Sequence, residues 1–314
     1  MATKGLFMEN KLKLPVGIES FEEIRRNQYY YVDKTKLIEQ LFDNLGKVSL
    51  FTRPRRFGKT LNMSMLKCFL KLEQIQRFLM DSMFLKIMHF VSSTWAISRH
   101  LSLPQKCGRL NFESAKYQMM ELISKEAKRH AVLGKSEILD EDARKTYEAL
   151  TMFSNGRYQM TEETLLGSLQ TLSELLFSHY HKKTVILIDE YDVPLDKAFQ
   201  HGYYKEMVFL IRAMFGKALK TNDALAFAVL TGCLRVSKES IFTGLNNFKI
   251  LSITDTRFDE QFGFTDAEVQ KLLSDYHLEN RFREVKEWYD GYRFGKADVY
   301  CPWDIINFVD SSQG

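Results

Sequence analysis

The sequence is poor in cysteine and has no long apolar run. Its four cysteines, Cys68, Cys107, Cys233 and Cys301, occur without a C-x-x-C pair. That pattern argues against a zinc site or a disulfide framework and favours buried free thiols in a reducing cytoplasm. No stretch of about 18 apolar residues is present, so no membrane-spanning helix is expected. The N-terminal residues lack the apolar core of a signal peptide. We therefore expect a cytoplasmic protein.

The net charge is also small. Lysine and arginine together number 44 against 40 acidic residues, which leaves a formal charge of +4 over 314 residues. Such a balance permits an anionic partner without arguing for one. The content of 45% hydrophobic and 27% charged residues is that of an ordinary globular protein, with one large domain or two smaller ones.

The stretch "SLFTRPRRFGKTLNMSML" (49–66) contains an incomplete phosphate-loop pattern. It has Gly58-Lys59-Thr60 at its end, but Arg53 stands where G-x-x-x-x-G-K-[ST] has its first glycine. The apolar run at 47–52 predicts a strand before the loop. Steps of three and four between later apolar residues, from Leu61 to Leu79, predict a helix after it. A phosphate loop requires this strand–loop–helix context.

Each residue of the pattern has a chemical reason. Backbone must approach a phosphate closely at Gly58, where a helix N-terminus supplies N–H groups and partial positive charge. Lys59 is expected to reach the β- and γ-phosphates, and the Thr60 hydroxyl to ligate Mg²⁺. Arg55 and Arg56 either add positive charge or simply face solvent.

The segment "VILIDE" predicts the second half of such a site. Four apolar residues indicate a strand buried on both sides, and Asp189 and Glu190 follow at its carboxyl end. In phosphate-loop enzymes, an aspartate in that position holds Mg²⁺. A glutamate beside it can polarise the water that attacks the γ-phosphate. The alternative is that both acids merely begin a turn. The order of the two motifs and their placement on a loop and a strand end favour nucleotide binding.

A third segment, "LTGCLRV", offers two further candidates. Thr231 ends the next predicted buried strand, where a polar side chain is suited to sensing the γ-phosphate, and Arg235 follows within reach of developing charge. A strand-end threonine and a surface arginine remain the alternative for this pair.

The order of the predicted elements indicates the fold class. Strands at 47–52, 185–188, 224–236 and 247–253 alternate with helices, which is typical of a doubly wound α/β fold with a parallel sheet flanked by helices. Residues 112–178 and those after Thr265 show helical patterns, whereas 82–110 shows no clear period.

Six stretches of the sequence resemble the bacterial AAA-ATPase-like family. They are "YVDKTKLI", "RPRRFGKTLNMSML", "LIDEYDVPL", "TGCLRVSKESIFTGLNN", "FGFTDAEV" and "WYDGYRFG…VYCPWDIINF". The family's loop resembles "RPRRFGK[ST]", so Arg53 follows the family pattern. The resemblance implies an additional-strand P-loop NTPase, with a core at 1–255, a helical insertion at about 82–180, and a C-terminal helical, winged-helix-like module at 256–314. It also implies a role near the base for Asp33 and Lys34. The candidate nucleotide-binding residues are these two with Arg55, Arg56, Phe57, Gly58, Lys59, Thr60 and Leu61.

The chain departs from the family in two places. A strand resembling "YPVIxLSLK" is expected near 90–108 but is missing from the sequence, and a local change of reading frame is one explanation. Family members commonly carry a C-terminal PD-(D/E)XK nuclease domain, which is expected to be absent from this chain because it stops at Gly314.

These observations predict an ATPase with ATP and Mg²⁺ as its cofactors. Lys59, Glu190, Thr231 and Arg235 are the expected catalytic residues, with Thr60 and Asp189 at the metal. By resemblance, hydrolysis drives a conformational switch coupled to a nuclease domain or to nucleic acid. The alternative is a nucleotide-binding regulatory module with negligible turnover. A third hypothesis, a nucleic-acid-binding protein that does not depend on nucleotide, accounts for neither Lys59 nor the Asp189-Glu190 pair.

Overall fold

A computed structural model describes residues 11–70, 111–233 and 246–313, together with the backbone of a strand at 94–100. Contacts divide the chain into two compact units. The larger unit contains Leu41–Arg55 and Leu66–Ser252, and the smaller contains Met1–Gln40, Arg56–Met65 and Ile253–Gly314. Within the described part of the chain, no helix is both long and apolar enough to cross a membrane.

The larger unit alternates strands and helices. Its elements in chain order are β1 (Val48–Thr52), β2 (Thr94–His100), α4 (Phe112–Lys128), α5 (Glu141–Thr151), β3 (Phe153–Ser154), β4 (Arg157–Tyr158), α6 (Glu162–Tyr180), β5 (Lys183–Asp189), α7 (Val193–Gln200), α8 (Tyr204–Phe215), β6 (Leu225–Gly232) and β7 (Phe248–Leu251). Helices α2 (Lys36–Asp43) and α3 (Lys59–Leu70) have residues in both units.

A parallel sheet lies at the centre of this unit. Strands β5, β6, β1 and β7 are neighbours in that order, and β2 pairs in parallel with the outer side of β5. Every residue of β1 is buried, as is every residue of β5 after Lys183, because helices cover the sheet. The predicted α/β class with a parallel sheet is therefore confirmed. All four predicted strands are present, although β6 ends at Gly232 and not at residue 236 as predicted.

The expected loss of a strand between 90 and 108 is wrong. β2 occupies Thr94–His100 and pairs with β5 from Thr94 opposite Lys183 to His100 opposite Asp189. Pairing with a neighbouring strand is a tertiary effect that local periodicity does not report. Residues 71–93 and 101–110, and with them part of the expected helical insertion, lie outside the described residues.

The helical prediction for 112–178 is confirmed with one exception. Helices α4, α5 and α6 pack together with α8 over the apolar core of the larger unit. Between α5 and α6, however, β3 and β4 form a short hairpin whose turn residues, Asn155 and Gly156, both have positive φ. Asn-Gly is a strong sequence signal for such a turn, although no hairpin was predicted at this point.

The described part of the smaller unit combines four whole α-helices with a small antiparallel sheet. Its elements are α1 (Phe21–Arg26), β8 (Phe264–Thr265), α9 (Asp266–Asp275), α10 (Phe282–Tyr289), β9 (Tyr292–Phe294), β10 (Ala297–Tyr300) and α11 (Pro302–Ser311). The sheet order is β8-β10-β9. Helices were predicted here, but the three strands were not. The residues "YDGYRFG" (289–295) include β9, the first strand of a hairpin between α10 and α11.

A buried arginine joins three strand ends in the larger unit. The Arg53 side chain is 0% exposed, and its Nη1 donates hydrogen bonds to the carbonyl oxygens of Thr52 at 2.9 Å and Leu251 at 2.8 Å. Its backbone N–H donates to the Gly232 carbonyl at 3.0 Å. Arg53 therefore ties together the ends of β1, β7 and β6. It fixes the start of the loop through its side chain, where the usual pattern relies on a glycine turn.

We predict that restoring the usual glycine will destabilise the protein. Arg53→Gly removes both guanidinium hydrogen bonds from buried carbonyls, and we expect a loss of at least about 2 kcal/mol in the free energy of unfolding. Urea unfolding without nucleotide measures it. The control is Arg55→Gly, two residues away, whose side chain is 74% exposed. That control should change stability by less than about 0.5 kcal/mol. Equal losses in both variants would contradict the role given to Arg53.

Candidate functional site

Three of the predicted residues meet at one edge of the parallel sheet. Asp189 ends β5 and is 4% exposed, while Thr231 lies near the end of the neighbouring strand β6 and is 1% exposed. The Thr231 hydroxyl donates a hydrogen bond to Asp189 Oδ1 and accepts one from the Glu190 backbone N–H at 3.3 Å. A hydroxyl has a single proton to donate, and in Thr231 that proton is directed at the Asp189 carboxylate. Thr231 therefore orients the two acidic residues of the strand end.

Glu190 has an unusual backbone conformation. Its φ is +53°, in the left-handed region that costs an L-residue roughly 1–2 kcal/mol. Thr231 helps to hold the turn, since its side chain accepts the Glu190 N–H and its carbonyl accepts the Tyr191 N–H at 3.0 Å. The Glu190 side chain is half-buried. Strained backbone of this kind is often found at functional sites, where surrounding contacts hold it in place.

The same strand ends require a glycine that is not among the predicted site residues. A Cβ atom on Gly232 would lie 2.4 Å from Tyr191 Cε1, so no larger residue fits beside the Tyr191 ring. Asp192 accepts a hydrogen bond from the Cys233 backbone N–H at 2.8 Å. These contacts fix β6 against the turn after β5. The signal in the sequence was Thr-Gly at the end of a buried strand.

The loop that follows β1 combines left-handed and helical backbone. Arg56 has φ +68° and Gly58 has φ +77°, and α3 begins directly afterwards at Lys59. A Cβ on Gly58 would meet no atom within 4 Å, so the glycine is needed for its conformation and not for space. A left-handed residue followed by a helical one turns successive backbone N–H groups into a concave anion site. The N-terminus of a 12-residue helix adds partial positive charge there.

Two side chains of this loop are used for packing within the smaller unit. Phe57 is 1% exposed, with its ring centroid 4.8 Å from that of Tyr292 and 5.1 Å from that of Phe294. The Arg56 guanidinium lies over the Trp303 ring, 4.8 Å from its centroid. Both residues were predicted to bind nucleotide. Because these contacts engage both side chains, a phosphate contact by either residue would have to come from its backbone N–H.

The remaining loop residues differ in exposure. Lys59 is 4% exposed, and Thr60 and Leu61 are half-buried at the start of α3. Arg55 is exposed and lies 3.6 Å from the Asp196 carboxylate within the larger unit. A pair this open to solvent contributes little stability and leaves the guanidinium accessible. Arg235 lies outside the described residues.

The two residues assigned near the base have structural partners. Asp33 accepts a hydrogen bond from the Thr35 N–H at 2.9 Å, which shapes the start of α2. Lys34 is buried, with its Nζ 2.6 Å from the Glu268 carboxylate and 2.7 Å from the Glu260 carbonyl oxygen. Burial lowers the pKa of the Lys34 ammonium, while Glu268 opposes that shift. The Lys34 ammonium is thus held in an ion pair within the smaller unit.

A magnesium site built from this chain would have oxygen donors only. Among the described residues, no group of three or more His, Cys, Asp or Glu side chains is arranged to hold a metal. Mg²⁺ is commonly bound through one or two protein oxygens with water and substrate phosphates completing the octahedron. The Asp189 carboxylate and the Thr60 hydroxyl each offer an oxygen atom of the kind that Mg²⁺ prefers as a ligand.

Comparison with known proteins agrees with these features. The family model described as "Predicted AAA-ATPase" matches residues 15–242, which include the loop, β5 and β6. An uncharacterized protein in the vnfD 5′ region of Azotobacter chroococcum mcd 1 is 30% identical over 302 residues. The match covers 95% of this chain but only 52% of that relative, so the chain spans about half of the relative's length. The match of the family model over most of the sequence shows that the chain belongs to the predicted AAA-ATPase family.

Proposed function

We propose that this protein binds ATP and hydrolyses it with Mg²⁺. The observation that carries the proposal is the order of the strands. β6 lies between β1 and β5, and all three run in parallel, so the residues that follow them leave the same edge of the sheet. The candidate phosphate loop follows β1, Asp189 ends β5, and β6 lies between these two strands. Additional-strand P-loop NTPases have this arrangement. Family membership independently supports nucleotide binding.

Binding is assigned to the loop backbone and Lys59. The conformation of Gly58 and the N-terminus of α3 supply N–H groups for the phosphates, and Lys59 adds a full positive charge. The Arg55 side chain is open to solvent and, within the described part of the chain, contacts no aromatic ring in the way that Arg56 does, and we assign it an outer phosphate contact. Asp33 and Lys34 are retained as residues near the base through their backbone, because the Lys34 side chain is held by Glu268.

Hydrolysis is assigned to the acids at the end of β5. Thr60 and Asp189 would hold Mg²⁺, which neutralises charge on the β- and γ-phosphates. Glu190 would take a proton from the water that attacks the γ-phosphorus, leaving ADP and inorganic phosphate. Thr231 orients Asp189 and the Glu190 backbone, and Arg235 is assigned to charge on the γ-phosphate.

The output of hydrolysis is proposed to be a conformational switch coupled to a nuclease domain or to nucleic acid, on the basis of family resemblance. The division into a core at 1–255 and a winged-helix-like module at 256–314 is proposed on the same basis. The alternative is a nucleotide-binding regulatory module with negligible turnover. The expected absence of a strand near 90–108 was one reason to favour that alternative. The presence of β2 at the edge of the sheet removes this reason.

We predict that two substitutions will separate binding from turnover. Lys59→Ala should weaken ATP binding at least about tenfold because a charged phosphate ligand is lost. Glu190→Gln should bind ATP about as well as the wild type but lower kcat by about 10²–10⁴, because the amide does not accept the proton. Calorimetric titration and phosphate release, both with Mg²⁺, measure the two quantities.

The matched control is Lys205→Ala, which removes an exposed lysine of α8 and should leave both quantities unchanged. Normal ATP binding by Lys59→Ala would overturn the assignment of the loop. ATP binding by the wild type without any turnover would favour the regulatory module.

We further predict that activity and stability oppose each other at Glu190. Asparagine adopts the left-handed region more readily than glutamate or glutamine. Glu190→Asn should therefore unfold with a free energy about 0.5–1 kcal/mol higher than Glu190→Gln, while both lack turnover. Urea unfolding of the two variants without nucleotide checks this. Identical unfolding free energies would show that the conformation at 190 carries no strain.

A further inference from the structure

We propose that Trp303, at the start of α11, is a positioning residue for the phosphate loop, since it holds Arg56 in its left-handed conformation. The inference rests on the proposed function, because it concerns how the loop is kept ready for a nucleotide. It assigns a role to a residue that is none of the candidate site residues above and lies more than 200 positions from Arg56 in sequence.

Arg56 needs contacts that compensate for its backbone. Its φ of +68° falls in a region that glycine adopts freely and other L-residues avoid. Gly58, two residues later, has a similar φ but is a glycine. An arginine in this conformation persists only where surrounding groups hold it.

Two residues at the beginning of α11 supply such contacts. The Trp303 ring lies under the Arg56 guanidinium at 4.8 Å, which is cation–π geometry. The Cys301 thiol donates a weak hydrogen bond to the Arg56 carbonyl oxygen, with an S···O distance of 3.8 Å. Burial raises the pKa of Cys301 to about 11, so the thiol keeps its proton at neutral pH. One short segment thus contacts both the side chain and the backbone of Arg56.

The next loop residue is anchored in the same unit. Phe57 packs against Tyr292 and Phe294, and a Cβ on Gly263 would lie 3.0 Å from the Phe57 ring. With Arg56 and Phe57 both fixed through their side chains, the backbone between them and Gly58 has little freedom. A preformed set of N–H groups binds phosphate without paying the entropy of ordering the loop.

Trp303 acts on the loop through the face of its ring, which contacts the Arg56 guanidinium, and contributes little to the apolar core. It is 40% exposed, so the apolar core depends little on it. Trp288 on α10 is 77% exposed and, among the described residues, has no cation over its ring. The two tryptophans of the smaller unit therefore form a matched pair, one in contact with the loop and one not.

The test compares substitutions at these two tryptophans. Trp303→Leu keeps an apolar side chain but removes the ring face, and we expect ATP binding with Mg²⁺ to weaken about tenfold. Trp303→Phe retains a ring face and should bind ATP nearly as the wild type does. Trp288→Leu should bind ATP normally. Thermal unfolding without nucleotide should place all three variants within about 4 °C of the wild type.

A second background shows whether Trp303 acts through Arg56. Glycine adopts positive φ without help, so in Arg56→Gly the further change Trp303→Leu should not weaken ATP binding any more. An equal loss from Trp303→Leu in both backgrounds would overturn the inference, as would normal ATP binding by the single variant. If the wild-type protein itself binds no ATP, the proposed function fails and the inference fails with it. Binding by the wild type without coupling between positions 56 and 303 overturns the inference alone.

Discussion

The parallel pairing of β1, β6 and β5 is the constraint on which the candidate site depends. Phe51 lies opposite Thr231, and Ile188 lies opposite Leu230, so the strand ends coincide at one edge. This register brings the Thr231 hydroxyl to Asp189. A shift of one residue between β5 and β6 would turn the side chains of β6 to the opposite face and break that contact. The proposed chemistry therefore requires this strand register, because the register places the side chains that would carry it out.

Arg53 shows how the same edge is held without the usual first glycine. A glycine would give the chain freedom to turn, whereas the buried guanidinium binds the carbonyl oxygens at the ends of β1 and β7. Its backbone also binds the last residue of β6, which is the Gly232 that Tyr191 requires to be small. The loop therefore begins from a point fixed to three strands. The two hydrogen bonds that Nη1 donates to carbonyl oxygens offset part of the cost of burying this charge.

The sequence predicted the parts of the fold that are encoded locally. The apolar run before Asp189 identified β5, and the steps of three and four after Thr60 identified the start of α3. It did not predict β2, whose strand geometry comes from pairing with β5, nor the hairpins at 153–158 and 292–300. In the site, residue types indicated the acids and the lysine. The packing of Phe57 and the ion pair of Lys34 depend on residues more than 200 positions away, which no local pattern reveals.

Strain at two positions connects these observations. Arg56 and Glu190 both have left-handed backbone that costs roughly 1–2 kcal/mol each, against a net stability of about 5–15 kcal/mol for a typical protein. Neither conformation is favoured by its own residue type, so each depends on contacts from another element. For Glu190 the contact is Thr231 on β6, and for Arg56 it is Trp303 on α11. Because the backbone at these positions is set by neighbours, a change in either neighbour alters the loop or the strand end directly. The residues that control such a site are therefore found among its packing partners as well as among its motifs.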